Sequence, residues 1–179
     1  MNLPNKITLF RVAMIPVFLV FMLIPDIPYG KYIAAAVFII AAVSDFLDGY
    51  LARKNNLVTN FGKFMDPMAD KLLVSSALIC FVELNLIPAW VVIIIISREF
   101  IISGFRLIAS DNGVVIAASW WAKVKTNVQM IMSVMLIINL DIPVINILEQ
   151  IAIYLAVVLT IISLIEYLVK NKDVLKEKH

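Results

Sequence analysis

The sequence predicts an all-α, polytopic membrane protein of six transmembrane helices with both termini in the cytoplasm, and three observations carry that reading. The 179 residues are 63% hydrophobic, well above the roughly half-apolar usage of soluble domains, which all but excludes a water-soluble fold. The apolar residues fall into six runs close to the length of about 17–20 residues that a helical span requires. Basic residues gather in alternate connections: Lys6, Arg11, Arg53, Lys54, Lys63, Lys71, Arg106, Lys123, Lys125, Lys170, Lys172, Lys176 and Lys178, 13 of the 15 Lys and Arg residues, belong to one side. By the positive-inside rule that side is the cytoplasm.

The first span runs from Ile7 to Ile24. Lys6 and Arg11 before an apolar run resemble a signal peptide, but the run ends at Ile24-Pro25-Asp26 without a small-x-small cleavage site, so it is read as a retained helix. The second covers Tyr32 to Asp48 and extends towards Arg53. The third covers Asp66 to Leu86, with Asp66 suited to cap the helix and Pro67 to its first position. The fourth runs from Ala89 to Ile108. The fifth, Trp120 to Asn139, opens on two tryptophans that fit an interfacial anchor, and the sixth runs from Val144 to Leu168. The connections Gly30-Lys31, Glu83 to Pro88 and Asn139 to Pro143 are short and almost free of basic residues. An even number of spans returns both termini to one side.

No linker composition or repeat interrupts the chain, which reads as a single membrane domain over 1–179. The net charge of +2 gives no reason to expect a nucleic-acid partner. Cys80 is alone in an apolar run, which excludes an internal disulfide and suits inert filler. Glu166 and Lys170 have the spacing of a solvated helical ion pair, the lysine-rich tail suits a tether to anionic headgroups, and His179 is terminal.

Chemistry concentrates in one stretch. Asp45 and Asp48 stand three apart at the cytoplasmic end of the second span, and Asp66 and Asp70 four apart at the start of the third, so each pair shares a helix face. Anions near a helix C-terminus and a membrane boundary are disfavoured, which argues for a cation among these carboxylates. Oxygen donors without neighbouring His or Cys suit Mg²⁺ or Mn²⁺ rather than zinc, and two such ions would grip a phosphoryl group undergoing in-line displacement. Gly49 and Gly62 would admit a phosphate close to the backbone, and Arg53 could fork onto its oxygens.

Asp45-x2-Asp48-Gly49-x2-Ala52-Arg53-x8-Gly62-x3-Asp66-x3-Asp70 resembles the complete signature of the CDP-alcohol phosphatidyltransferase family, and the opening Pro4-Asn5-x2-Thr8-x2-Arg11 is similar to that family as well. The resemblance implies a two-metal centre held by Asp45, Asp48, Asp66 and Asp70, with Asp70 also the base for the acceptor hydroxyl. It places Asn5, Thr8, Gly49, Ala52, Arg53 and Gly62 along the nucleotide and pyrophosphate of CDP-diacylglycerol, and it implies a homodimer in a bacterial-type cell membrane with the active site facing the cytoplasm.

A second set of cations points to the acceptor. Arg106 ends the fourth span and Lys123, Lys125 and Thr126 open the fifth, on the same predicted side as the aspartates. Neutral acceptors such as serine or inositol have no use for it, so glycerol 3-phosphate is expected, with phosphatidylglycerophosphate as product. Ser97-Arg98-Glu99-Phe100 with Ser103 and Arg106, and Ala122-Lys123-x-Lys125-Thr126, resemble the branch of the family with that acceptor. Serine, inositol phosphate and phosphatidylglycerol stay as alternative acceptors. An ion-coupled transporter is the alternative of another class; its carboxylates belong near the midplane on broken helices, not at cytoplasmic helix ends. Arg98 and Glu99 lie well inside the fourth span. Being adjacent, they should not neutralise one another directly, so each should find a partner on another helix, such as Asn127 or Gln129, or a substrate.

Overall fold

The computed structural model describes residues 3–54, 60–111, 116 and 119–172, and of residues 3, 4, 45–54, 60–64, 66, 67 and 111 the backbone alone. Its described residues form six α-helices and no strand: α1 (Leu3–Leu23), α2 (Gly30–Lys54), α3 (Asn60–Glu83), α4 (Ala89–Asp111), α5 (Trp120–Ile138) and α6 (Pro143–Lys170). Each matches one predicted span. The predicted starts of the fourth and fifth helices, Ala89 and Trp120, are reproduced.

One expectation is overturned. Because α3 begins at Asn60, Asp66 and Pro67 lie six and seven residues inside the helix, and Asp66 does not cap it. Phe61, Phe64, Met65 and Met68 follow the i, i+3, i+4, i+7 apolar spacing of a helix face, a pattern that carries helix back through the proline. An interior proline removes one backbone bond, a loss that neighbouring helices can make good. α1 likewise runs through Pro16.

The chain divides into two compact units. The first holds 1–86 with 133–139, and the second holds 87–132 with 140–179. In the first, α1 packs along α2 and α3, and α2 touches α3. Phe18 and Phe38 are fully buried with ring centroids 5.9 Å apart. Ala34, Ala41, Ala69 and Ala77 are also fully enclosed; side chains this small let helix backbones approach closely. At Gly30 a Cβ would stand 2.9 Å from the Phe21 carbonyl oxygen, so the close return of the chain after α1 requires glycine. Asn85 and Asn139 take left-handed φ values of 57° and 43° just past α3 and α5. Asparagine tolerates this conformation, and Leu86 N–H closes the end of α3 by donating to the Phe81 carbonyl at 2.8 Å.

In the second unit α4 packs along α6. Phe105 meets Tyr167 edge-on, centroids 5.6 Å apart, and with Ile102 these residues form a small core that Ile116, Leu164 and Leu168 cover. The outer face of α6 presents Ile147, Ile151, Tyr154, Val158 and Ile165, each more than half exposed, a contiguous apolar surface that suits an apolar solvent better than water. Among the described residues two helical segments, Asn5–Leu23 and Pro143–Lys170, are long and apolar enough to cross a membrane. Arg98, Glu99 and Arg106 in α4, and Lys123, Lys125, Asn127 and Gln129 in α5, set those helices apart.

Candidate active site

The signature aspartates lie on two touching helices. Asp45 and Asp48 belong to α2, and Asp48 stands six residues before its end at Lys54. Asp66 and Asp70 belong to α3. The expected placement at helix termini is thereby corrected to between about one and a half and three turns inside, and the macrodipole, which fades within the last turn, no longer bears on Asp48. What remains is stronger: four acidic positions of one sign on two helices that touch. The side chains of Asp45, Asp48, Gly49, Ala52, Arg53, Gly62 and Asp66 lie outside the described residues. Asp70 is half-buried and takes part in an interaction. Among the described side chains, which include Asp70 alone of the four, no group of three or more His, Cys, Asp or Glu converges.

α1 supplies a polar face to the same unit. Asn5 and Thr8 are buried, and Arg11, three residues further, is 0% exposed. Arg11 belongs to the basic set of the cytoplasmic side and to the first predicted span; in the structure it lies inside α1 and is fully enclosed rather than facing the loop. The i, i+3, i+6 spacing with Asn5 and Thr8 is the signal that assigns it to one helical face. A fully enclosed guanidinium is costly unless it is paired, and Arg11 does take part in an interaction.

The second unit holds the other candidate residues, and the structure brings only some of them together. Arg98 and Lys125 are 6% and 1% exposed. Arg98 Nη1 donates to Glu99 Oε1 at 3.1 Å, Arg98 Nε donates to Ser163 Oγ at 3.2 Å, and Lys125 Nζ forms an ion pair with the same Glu99 oxygen. The expectation that Arg98 and Glu99 cannot meet is therefore wrong. Their Cβ atoms diverge, but the arginine chain is long enough to turn its guanidinium back onto its neighbour. Lys125 on α5 and Ser163 on α6 join the partners expected from sequence; of those, Asn127 is exposed, and Gln129 is buried and takes part in an interaction. Ser163 drew no attention in the sequence because it stands 65 residues from Arg98 in a stretch of apolar residues.

The remaining acceptor candidates are more exposed and make other contacts. Arg106 is exposed and sits over the Tyr167 ring, 5.9 Å from its centroid. Lys123 is exposed, and Thr126 Oγ1 donates to the Ala122 carbonyl of its own helix at 2.9 Å. Arg98 and Lys125 thus form a built pair, whereas Arg106, Lys123 and Thr126 are surface groups.

A profile described as CDP-alcohol phosphatidyltransferase matches residues 1–162, across both units. The chain is similar to a Bacillus subtilis protein, at 48% identity over 98% of this chain and 97% of that protein. It is similar to proteins of Haemophilus influenzae, at 44% over 93% and 91%, and of Rickettsia bellii, at 38% over 90% and 91%. All three carry the name CDP-diacylglycerol–glycerol-3-phosphate 3-phosphatidyltransferase.

Proposed function

Since the chain belongs to the CDP-alcohol phosphatidyltransferase family, we propose that it transfers the phosphatidyl group of CDP-diacylglycerol to sn-glycerol 3-phosphate, giving phosphatidylglycerophosphate and CMP. The observation that carries the acceptor is the near full-length similarity to relatives named for that reaction, at 38–48% identity. Family membership also removes the transporter alternative.

In this reading Asp45, Asp48, Asp66 and Asp70 hold two Mg²⁺ or Mn²⁺ ions. The donor set fits such ions: carboxylate oxygens only, from two touching helices. Divalent ions bound there supply positive charge to the pyrophosphate and to the departing CMP. The protein's own residues do the rest. Asn5, Thr8, Gly49, Ala52, Arg53 and Gly62 line the nucleotide and pyrophosphate. Asp70 accepts the proton of the acceptor hydroxyl as that oxygen attacks the phosphorus bearing diacylglycerol, and the bond to CMP breaks. Arg98 and Lys125, with Arg106, Lys123 and Thr126 as the outer approach, bind the phosphate of the acceptor.

All six helices span a bacterial-type cell membrane, with both termini and the reaction on the cytoplasmic side, and the enzyme works as a homodimer. Two segments of sufficient length and apolarity, the apolar outer face of α6 and the uneven distribution of Lys and Arg residues between the two predicted sides support that arrangement. Labelling of a cysteine at Lys54 from the cytoplasmic side only is the expected outcome; labelling from outside only would sink the topology. The reaction is tested by incubating purified protein with CDP-diacylglycerol and a panel of labelled acceptors and identifying the lipid formed. Transfer to serine or inositol with glycerol 3-phosphate inert leaves the family and removes the acceptor.

A further inference from the structure

We infer that Glu99 is a positioning residue for the acceptor: its carboxylate holds Arg98 and Lys125 together, so that two cations from different helices present one preset subsite for a phosphate monoester. The inference rests on the reading of glycerol 3-phosphate as acceptor and goes beyond it, because neither the motif nor the similarity to relatives gives Glu99 a task.

The geometry distinguishes this from a simple ion pair between helices. A carboxylate that merely fastens two helices needs one cation from the second helix. Glu99 Oε1 instead takes two cations, Arg98 from its own helix and Lys125 from 26 residues further along the chain. Both are nine-tenths or more buried, where two like charges repel strongly unless an anion lies between them. Arg98 is fixed at a second point, since its Nε donates to Ser163, itself 0% exposed. A guanidinium held at both Nε and Nη1 has its plane set before any ligand arrives, and a set plane is what two-point recognition of phosphate oxygens uses. Arg98, Glu99 and Lys125 between them carry two positive charges and one negative, an excess of the sign that attracts a phosphate monoester carrying about −1.5 to −2 near neutral pH.

The test uses the full-length protein in mixed micelles with CDP-diacylglycerol and glycerol 3-phosphate. Glu99→Gln removes the charge and keeps the shape; Glu99→Asp keeps the charge and withdraws it by one methylene. For Glu99→Gln we expect KM for glycerol 3-phosphate to rise at least about tenfold while KM for CDP-diacylglycerol stays within about twofold, the asymmetry that loss of a preset subsite produces. Glu99→Asp should show the same asymmetry at roughly three- to tenfold, and it carries the test if Glu99→Gln does not fold. Unchanged KM for glycerol 3-phosphate in a folded variant, or an equal rise for both substrates, overturns the inference and leaves Glu99 a fastening between helices. A wild-type enzyme inert towards glycerol 3-phosphate overturns the acceptor reading, and this inference with it.

Discussion

The two units carry their candidate functional charges in opposite ways. In the first, the signature sets four aspartates of one sign on α2 and α3; in the second, Glu99 brings two buried cations onto a single oxygen. A like-charged set is stable only when counter-charge is delivered to it, so its residue types and spacing already announce a ligand of opposite sign. A mixed set contains its own counter-charge, and its meaning lies in geometry that spacing does not reveal. The contrast gives an order of expected effects: groups that hold the reacting pyrophosphate should matter most, buried groups that hold the acceptor next, and groups that orient those least.

The largest effect is expected for Asp48→Asn or Asp66→Asn. Removing one ligand of a two-metal centre should cost several kcal/mol of transition-state stabilisation, on the order of a thousandfold or more in CMP release. CMP release should also require added Mg²⁺ or Mn²⁺ after treatment with a chelator. Both aspartates lie within helices, where Asp and Asn have nearly the same propensity, so thermal unfolding should stay close to that of the wild type. Activity within a few-fold of wild type in either variant would reduce the acidic set to a structural feature and erase the contrast.

Next come the acceptor cations. Lys125 is buried and ion-paired, while Arg106 is exposed and stacked over Tyr167. A charge-assisted contact to phosphate is worth about 1.5–3 kcal/mol, so Lys125→Ala should weaken use of glycerol 3-phosphate by roughly ten- to a hundredfold, with little change for CDP-diacylglycerol. Arg106→Ala should cost no more than about tenfold, since an exposed charge is screened by water. Steady-state kinetics with each substrate varied in turn reads both. An Arg106 effect larger than that of Lys125 would move the acceptor subsite to the surface and reverse the order drawn from burial.

The difference between the units also explains what could be read before the fold was known. Six apolar runs gave six helices because helices of this kind are specified locally, by length and hydropathy. The aspartate signature was legible for the same reason: all its members fall within 26 positions of one another. Where local rules competed, the reading failed. Asp66-Pro67 looks like a helix start, yet Phe61, Phe64 and Met65 continue the helical face upstream of it. Arg98 and Glu99 are adjacent, and the rule that neighbours on a helix diverge describes Cβ directions, not the reach of a long arginine. Ser163 could not be found at all, because only the packing of α4 on α6 brings it to Arg98.

Ser163 therefore provides the finest test of the comparison. Its hydroxyl accepts from Arg98 Nε and donates to the Thr160 carbonyl at 3.0 Å. Ser163→Ala removes the acceptor and leaves the Arg98–Glu99–Lys125 contacts in place. Alanine is the better helix former, so α6 should hold. A hydrogen bond from a charged donor contributes about 1.5–3 kcal/mol, but Arg98 keeps its contact with Glu99 and only the loss of orientation reaches the substrate, so a rise of roughly two- to tenfold is expected in KM for glycerol 3-phosphate and almost none for CDP-diacylglycerol. If Ser163 and Glu99 both act by fixing the plane of Arg98, their effects should not add: the double variant Ser163→Ala, Glu99→Gln should be measurably less impaired than the product of the two single effects, the mark of residues in one network. Strict additivity would mean that the two side chains act independently, with Ser163 serving the packing of α4 on α6 and not the acceptor subsite.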